Sequence, residues 1–343
     1  MGVMKRLSRS KLSIVWVAMV VVIVLFFFGS FMLGRYPIGP WTVVRILAAQ
    51  IFDIPHTWTD TAETVVMRVR LPRIAAAVLI GGALSVSGAA YQNLFKNPLV
   101  SPAILGVSAG AGFGAALGML LRMNGWGIQS LAFVFALVAV GASFLIGRVF
   151  GKLSIIVLVL GGTVISAIFQ ALISILKYWA DPIDTLPSIT FWLMGSLAKV
   201  SNGDIWMALP FIAVSMLLMY VMRWRIQVLS VGEEEASALG VNVGRIQAIV
   251  VISATLMTAA AVSIGGIIGW VGLMIPHVAR MLIGPNFQQV FPLSLFLGGA
   301  FLLAVDTVGR TVGATEIPLG ILTSLIGAPF FILLLAKVKR GWA

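Results

Sequence analysis

The stretch Leu12-Ser-Ile-Val-Trp-Val-Ala-Met-Val-Val-Val-Ile-Val-Leu-Phe-Phe-Phe-Gly-Ser-Phe-Met-Leu33 is uncharged and apolar almost throughout. A helix needs about 20 apolar residues to cross the hydrocarbon core of a bilayer, so this stretch predicts a membrane-spanning helix. Its apolar core is longer than that of a signal peptide, and no cleavage site of small residues follows. We therefore expect a retained first helix with its N-terminus inside, where positive charges gather. The basic residues before it are Lys5, Arg6, Arg9 and Lys11.

The whole chain has the composition of a membrane protein. Of its 343 residues, 60% are apolar and 10% are charged, and the mean hydropathy is +1.08. Globular chains are about 45–50% apolar and about 25% charged, so a water-soluble fold would lack the polar surface to cover itself. There is no cysteine, which excludes disulfides, thiolate catalysis and cysteine-ligated metal sites.

The chain is also basic, with 23 Lys and Arg against 11 Asp and Glu and a formal net charge of +12. A basic surplus can indicate a nucleic-acid partner. In a membrane protein, however, Lys and Arg gather beside the spans on the cytoplasmic side. We therefore expect contact with membrane lipid and no contact with nucleic acid.

Ten apolar stretches of spanning length predict an all-α membrane protein, a polytopic bundle. Their apolar runs are continuous rather than alternating, which indicates helices and not a β-barrel. An even number of spans returns the chain to its starting side, so we expect both termini in the cytoplasm and a single membrane domain over residues 1–343. The predicted spans are Leu12–Leu33, Ile74–Phe95, Ser101–Leu121, Ile128–Phe150, Ile155–Leu176, Asp204–Met222, Ile246–Ile264, Ile267–Leu282, Leu293–Arg310 and Leu319–Ala336.

One predicted outer segment breaks the rule that positive charge stays inside. Between Gly34 and Arg73 the arginines outnumber the acidic residues. These arginines either form salt bridges with headgroups and loops or serve a function on the outer face. They are Arg35, Arg45, Arg68, Arg70 and Arg73, and the acidic residues are Asp53, Asp60 and Glu63.

Few charges lie inside the predicted spans. Asp306 and Arg310 are four residues apart and share a helix face, so they can pair as a structural salt bridge or as part of a functional site. His277 has no histidine or carboxylate at ligand spacing, so no metal site is expected. The chain also lacks HExxH, a catalytic serine arrangement and the phosphate loop GxxxxGK[ST]. We expect no enzymatic activity and no cofactor in this chain.

The longest predicted cytoplasmic loop covers residues 229–243 and contains the acidic run Glu233-Glu-Glu235. Ser230 or Gly232 can begin a short helix there, the glutamates complement its N-terminal dipole, and Gly240 can end it. Such a helix is either a solvated loop element or a docking element for a cytoplasmic partner.

Several segments between about residue 68 and residue 336 carry recognisable motifs in a fixed order. They are Arg70-Leu-Pro-Arg73, Gly88-Ala-Ala-Tyr-Gln-Asn-Leu-Phe-Lys-Asn-Pro-Leu99, Leu105-Gly-Val-Ser-Ala-Gly110, Gly232-Glu-Glu-Glu-Ala-Ser-Ala-Leu-Gly240, Gly269-Trp-Val-Gly-Leu-Met-Ile-Pro-His-Val-Ala-Arg280, Asp306 to Arg310, Glu316-Ile-Pro-Leu-Gly320 and Gly327-Ala-Pro-Phe330. With these segments, the chain resembles the permeases of type II ABC importers, the family that takes up iron–siderophore complexes, haem and vitamin B12.

The resemblance implies a ten-helix permease that forms a homodimer around a translocation path. Two ATPase subunits, which hold ATP and Mg²⁺, would bind the cytoplasmic face, and a substrate-binding protein would bind the outer face. In relatives, the arginines that match Arg70, Arg73 and Arg310 receive glutamates of the binding protein. The resemblance therefore implies that these three are docking residues.

The resemblance also implies coupling and gate residues. Small and apolar groups of the cytoplasmic loop would enter a cleft of the ATPase, the inner gate would lie in the loop Asn97-Pro98-Leu99, and the fifth span would line the path. The implied residues are Glu233, Ala236, Leu239 and Gly240 for coupling, and Asn97, Leu99, Ser154 and Ile155 for the gate and path.

We therefore predict the permease of an ATP-driven, binding-protein-dependent importer that carries an iron chelate (siderophore or haem) or cobalamin across the cytoplasmic membrane. The alternative is an ion-coupled secondary carrier or channel without an ATPase. Such a protein would require buried carboxylates or rings of pore charges, which the spans lack. An intramembrane enzyme would require paired catalytic groups, which are also missing.

Overall fold

The computed structural model describes residues 9–34, 36–149, 155–313 and 315–340. Within these residues every regular element is helical, as the sequence predicts. A π-helical turn (Val65–Arg70) joins α3 to α4, and a 3₁₀ turn (Pro102–Leu105) precedes α5. The α-helices are α1 (Arg9–Met32), α2 (Pro40–Ala48), α3 (Asp60–Thr64), α4 (Leu71–Leu94), α5 (Val107–Leu120), α6 (Gly125–Val149), α7 (Ile155–Trp179), α8 (Thr185–Leu193), α9 (Asn202–Leu229), α10 (Glu233–Ala238), α11 (Val243–Gly265), α12 (Val271–Ile283), α13 (Phe287–Thr311) and α14 (Leu319–Arg340).

Seven helical segments of the described chain are long and apolar enough to cross a membrane. Three more apolar helices, α5, α12 and α14, are shorter over their described residues. Each of the ten predicted spans overlaps one of these ten segments, so hydropathy locates the membrane helices, while the number of crossings remains a prediction. The seven long segments are Val15–Met32, Asp60–Leu94, Gly125–Gly147, Val157–Trp179, Asn202–Leu229, Val243–Gly265 and Phe287–Thr311.

Some helix boundaries differ from the predicted ones. The third span was expected to begin at Ser101, but α5 begins at Val107. Pro102 opens a 3₁₀ turn and Gly106 takes a left-handed φ of +86°, so a continuous α-helix cannot pass through these residues. The second span is longer than predicted, because α3, the π-helical turn and α4 form one helical segment over Asp60–Leu94.

Helix α4 lies at the centre of the bundle and packs against α9, α11, α12 and α13. It runs antiparallel to α13, because Arg73 meets Asp306 and Gly81 meets Gly298. A methyl group on Gly81 would lie 2.2 Å from the carbonyl oxygen of Gly298, so the two backbones touch. In a membrane, lipid is as apolar as the core side chains, and close packing through small residues is what holds such helices together.

The two ends of α4 define the two ends of the bundle. The arginine end contains Arg70 and Arg73 at the start of α4 and Arg310 near the end of α13. The coupling end contains Asn93 near the end of α4, together with α10 and the end of α9. With a helical rise of 1.5 Å per residue, Arg73 and Asn93 lie about 30 Å apart, which is the thickness of the hydrocarbon core.

Candidate functional site

A buried ionic cluster lies at the arginine end. The Nε atom of Arg73 donates to both carboxylate oxygens of Asp306 at 2.9 Å, and its Nη1 atom donates to both oxygens of Glu316 at 2.9 Å. Arg310 Nε lies 3.8 Å from Asp306 Oδ2. The Asp306 side chain is fully buried, whereas that of Glu316 is 35% exposed. These four residues and Arg70 are together called the arginine cluster, which thus has five members: Arg70, Arg73, Asp306, Arg310 and Glu316.

The cluster also fixes the end of α1. Arg310 donates to the carbonyl oxygen of Ser30, and Arg70 donates to that of Phe31. The last carbonyls of a helix have no backbone N–H partner and carry the negative end of the helix dipole, so guanidinium groups stabilise them. Arg70 also donates to the carbonyl oxygen of Tyr36, just beyond the helix. The arginines thus join α1, α4 and α13.

The cluster holds three guanidiniums and two carboxylates, so one positive charge is not compensated. Arg70, Arg73 and Arg310 are buried, with 3%, 7% and 7% of their surfaces exposed. Arg73 and Arg310 form internal ion pairs, which is the structural alternative that the sequence left open. Docking by these arginines remains a prediction. Glu316 was not expected in the site, although it opens the motif Glu316-Ile-Pro-Leu-Gly320.

The loop between α9 and α11 forms the short helix α10, as the sequence predicts. Gly232 precedes its first residue, and Gly240 ends it with a φ of +76°. The N–H groups of Gly240 and Val241 donate to the carbonyls of Ser237 and Ala236, both at 3.0 Å, which is a Schellman C-cap. This cap gives the loop a defined shape at the coupling end.

The proposed coupling residues do not all face outward. Leu239 is 61% exposed. Val231, which is not among the predicted coupling residues, is 67% exposed. Ala236 is fully buried inside the chain, so α10 presents its other side to solvent. Glu233 accepts a hydrogen bond of 3.0 Å from Gln247 Nε2 on α11, which ties the start of α10 to that helix.

The predicted gate loop follows α4 at the coupling end. Lys96 takes a left-handed φ of +49°, and Asn97 Oδ1 accepts the N–H of Leu99 at 2.9 Å. Leu99 is 58% exposed, which suits a side chain that meets another molecule or a path. Of the other two predicted path residues, Ser154 lies outside the described residues, and Ile155 begins α7 with its side chain outside the description.

An open apolar groove of about 500 Å³ lies between α8, the loop after α11, and α14. Its walls are joined by backbone hydrogen bonds, including one of 2.9 Å from Gly320 N to the carbonyl of Met194. None of the lining residues is charged. They are Leu193, Met194, Ile267, Gly269, Gly320, Ile321, Ser324 and Leu325.

Helix α7 exposes a polar stripe that was not among the predicted site residues. Thr163, Gln170 and Ser174 lie seven and four residues apart, so they share one face, and all three are exposed in the single chain. The two hydroxyls bond to carbonyls of their own helix. An exposed glutamine amide is unfavourable in hydrocarbon, so this face of α7 suits water or protein better than lipid.

The described residues contain no group of three or more His, Asp or Glu side chains that could hold a metal ion.

Comparisons with known proteins identify the family. The molybdate import system permease protein MolB of Haemophilus influenzae is 39% identical over 311 residues, which are 90% of this chain and 91% of that protein. An iron chelatin transport system permease protein of Helicobacter pylori is 38% identical over 280 residues, 82% of this chain and 85% of that protein. An inward-facing structure of a metal-chelate type ABC transporter has a TM-score of 0.84 at 35% identity and covers 94% of this chain and 99% of that one. Residues 21–337 match the FecCD transport family, whose members are multi-pass membrane permeases of binding-protein-dependent ABC importers. This chain therefore belongs to the FecCD family, as its motifs predict.

Proposed function

We propose that this chain is the membrane subunit through which an ATP-driven importer moves a metal chelate across the cytoplasmic membrane. The observation that carries the proposal is the position of the arginine cluster and α10 at opposite ends of α4, about one hydrocarbon thickness apart. The arginine end would meet a substrate-binding protein outside. The coupling end would meet ATPase subunits, which bind ATP and Mg²⁺, in the cytoplasm.

We propose ten membrane crossings, with both termini in the cytoplasm and one membrane domain over residues 1–343. The short helices α5, α12 and α14 would cross together with adjoining irregular segments. Leu319 N, for example, donates to the carbonyl of Gly195 at 2.9 Å. Irregular backbone is stable at membrane depth when its polar groups are paired inside the protein in this way.

We propose that two copies of the chain pair and enclose the translocation path. The exposed amide of Gln170 on α7 supports this proposal, because it is a poor surface for lipid and a good surface for a wetted interface. The apolar groove would then face the second copy of the chain. The loop with Asn97 and Leu99 would close the path on the cytoplasmic side. The start of α7, at Ser154 and Ile155, would lie beside it.

We propose that α10 couples the permease to the ATPase through its exposed side. Leu239 would enter the ATPase surface, and Gly240 would keep it in place through the left-handed C-cap. Glu233 would hold the start of α10 on α11 through Gln247. Ala236 would act from within, because its methyl group packs against the chain's own helices.

We propose an iron chelate (siderophore or haem) or cobalamin as the cargo. The Helicobacter pylori relative is named for iron chelatin, and the Haemophilus influenzae relative for molybdate, so similar permeases serve chemically different cargo. The groove offers no charged side chain that would select among them. The choice would therefore be made by the binding protein.

ATP-dependent uptake tests the proposal directly. The permease is reconstituted in liposomes with its ATPase subunit and binding protein, and uptake of a ferric siderophore, haem and cobalamin is measured. Uptake is expected only with ATP in the ATPase compartment and the binding protein on the opposite side. Uptake driven by an ion gradient without ATP would support the secondary carrier instead, a class that the family assignment does not favour.

Replacing Arg70 tests the role of the uncompensated charge in docking. Within the described residues, the Arg70 side chain hydrogen-bonds to backbone carbonyls and to no carboxylate, so Arg70→Gln removes a positive charge without leaving an acid unpaired. The association rate constant with the binding protein is expected to fall about three- to tenfold at low ionic strength, because an unscreened charge steers the encounter. Surface plasmon resonance at several salt concentrations measures this.

The matched control is Arg70→Lys, which keeps the charge but loses the planar fork that reaches the two carbonyls. It is expected to retain the association rate of the wild type. If both variants associate equally slowly and more slowly than the wild type, docking depends on the shape of the α1 end and not on the charge. If neither differs from the wild type, docking does not use the charge of Arg70.

A further inference from the structure

Two consecutive amide side chains, Gln92 and Asn93, lie near the coupling end of α4 and contact different elements. Both are buried, at 3% and 9% exposure. Gln92 contacts α12 and the end of the gate loop, and Asn93 contacts the end of α9. They are the last polar residues of α4 before the gate loop begins.

Asn93 holds the part of α9 that leads into α10. Its Nδ2 atom donates to the carbonyl oxygen of Ile226 at 2.7 Å. Ile226 belongs to the last turn of α9, where carbonyls lack regular helical partners, and the N–H of Ser230 bonds to Gln227 instead. The side chain of Asn93 thus supplies a donor that the helix end lacks. A displacement of the end of α9 would act directly on α4.

Gln92 holds the gate loop against α12. Its Nε2 atom lies 3.2 Å from the carbonyl oxygens of Val100 and Leu273 and 3.4 Å from that of Gly272. The carbonyl of Gly272 has no α-helical donor, because the residue four positions later is Pro276. Gln92 therefore satisfies an acceptor that the proline leaves open. It also binds Val100, which directly follows the gate loop and whose N–H donates to the carbonyl of Asn97 at 3.3 Å.

Arg280 sets the orientation of the Gln92 amide. It donates to Gln92 Oε1 and, at 3.4 Å, to the carbonyl of Ala89. With the amide oxygen held by a guanidinium, the NH₂ group must face Val100 and the α12 carbonyls. In the described residues, Arg280 forms no ion pair with a carboxylate.

We propose that Gln92 and Asn93 are the positioning residues that transmit movement of α10 to the gate loop. Asn93 receives the displacement of α9, and Gln92 passes it to Val100 and α12. The inference rests on the proposed function, because it takes α10 as the ATPase contact and residues 97–99 as the gate. It assigns to this pair a mechanical link between the end of α9 and the gate loop.

The test is the number of substrate molecules imported per ATP hydrolysed by the reconstituted complex. Asn93→Ala is expected to lower this ratio about fivefold or more, the scale of an ordinary coupling between sites, while ATP hydrolysis stays within about twofold. The matched control is Gln129→Ala, which removes an amide hydrogen bond of 2.9 Å to Asp204 at the other end of α9. It is expected to leave the ratio unchanged. Asn93→Leu, which keeps the branched side-chain shape but has no hydrogen-bonding group, serves if the alanine variant is poorly folded.

A spin label reports the movement itself. Because the chain has no cysteine, Leu99→Cys provides a single labelling site on the gate loop. In the wild-type background, the mobility of a nitroxide there is expected to change when a non-hydrolysable ATP analogue is added to the complex. Asn93→Ala is expected to abolish that change, and Gln92→Ala is expected to make the label mobile with and without nucleotide.

The outcomes separate the two proposals. A wild-type complex without ATP-dependent uptake would overturn the proposed function and this inference with it. This inference alone would be overturned by a coupled wild-type complex in which Asn93→Ala leaves the import ratio unchanged, as Gln129→Ala does, and in which Asn93→Ala and Gln92→Ala leave the label's response as it is in the wild type.

Discussion

Replacing Asp306 with asparagine is expected to destabilise the permease by about 3–5 kcal/mol, the usual loss when one partner of a buried ion pair is removed. The Asp306 carboxylate is fully buried and faces Arg73 at 2.9 Å and Arg310 at 3.8 Å. Without its charge, the cluster keeps three guanidiniums and a single carboxylate, Glu316. The free energy of unfolding in mixed micelles, measured by reversible SDS titration, checks the prediction.

The matched control for Asp306→Asn is Asp204→Asn. Asp204 is almost as buried, at 7% exposure, but its hydrogen-bond partners in the described part of the chain are the neutral groups of Ser201 and Gln129. Loss of its charge is expected to lower the free energy of unfolding by about 1 kcal/mol, the value of an ordinary hydrogen bond. Equal losses for the two variants would show that the buried charge of Asp306 is not what stabilises the arginine end.

Replacing Gly88 with alanine is expected to prevent correct packing of α4 against α12. An added methyl group would lie 1.7 Å from the carbonyl oxygen of Gly272 and 2.5 Å from its carbonyl carbon. These are backbone atoms and cannot rotate away, so the helices must separate, at a loss of about 3 kcal/mol or more. We expect little monodisperse protein from membranes and a lower free energy of unfolding for what is recovered.

Gly141→Ala is the control for Gly88→Ala, because it makes the same change in the middle of α6. Nothing lies within 4 Å of a methyl group added at Gly141. Alanine is the better helix former, so this variant is expected to be more stable than the wild type by about 0.5–1 kcal/mol. If both variants were tolerated equally, α4 and α12 would not be in backbone contact.

Features that depend on local composition could be predicted from the sequence. The uncharged stretch Leu12–Leu33 corresponds to α1, because a bilayer selects for continuous apolar length. Gly240 ends α10 with a left-handed φ, because glycine adopts that conformation without steric strain. The ordered motifs identify the family correctly, since each depends on residues that lie close together in sequence.

Features that depend on packing between distant helices could not be predicted. Arg73 bonds to Asp306 and Glu316, which lie 233 and 243 positions further along the chain. A hydropathy pattern does not indicate which helices are neighbours in the bundle. The spacing of Asp306 and Arg310 predicts their pairing, but the closer partner of Asp306 is Arg73. Similarly, α10 is too short for its sequence to show a buried face, and its contacts with α9 and α11 turn Ala236 inward.

The bond between Arg73 and Asp306 also bears on how the protein is made. A ribosome that adds about 5–20 residues per second needs roughly 10–50 s to cover the 233 positions between them. During that time α4 lacks the Asp306 carboxylate, which neutralises Arg73. It also lacks the glycine face of α13, which packs against the glycine face of α4. The centre of this permease is therefore completed late in synthesis, and truncation before α13 leaves its most buried helix without its main partner.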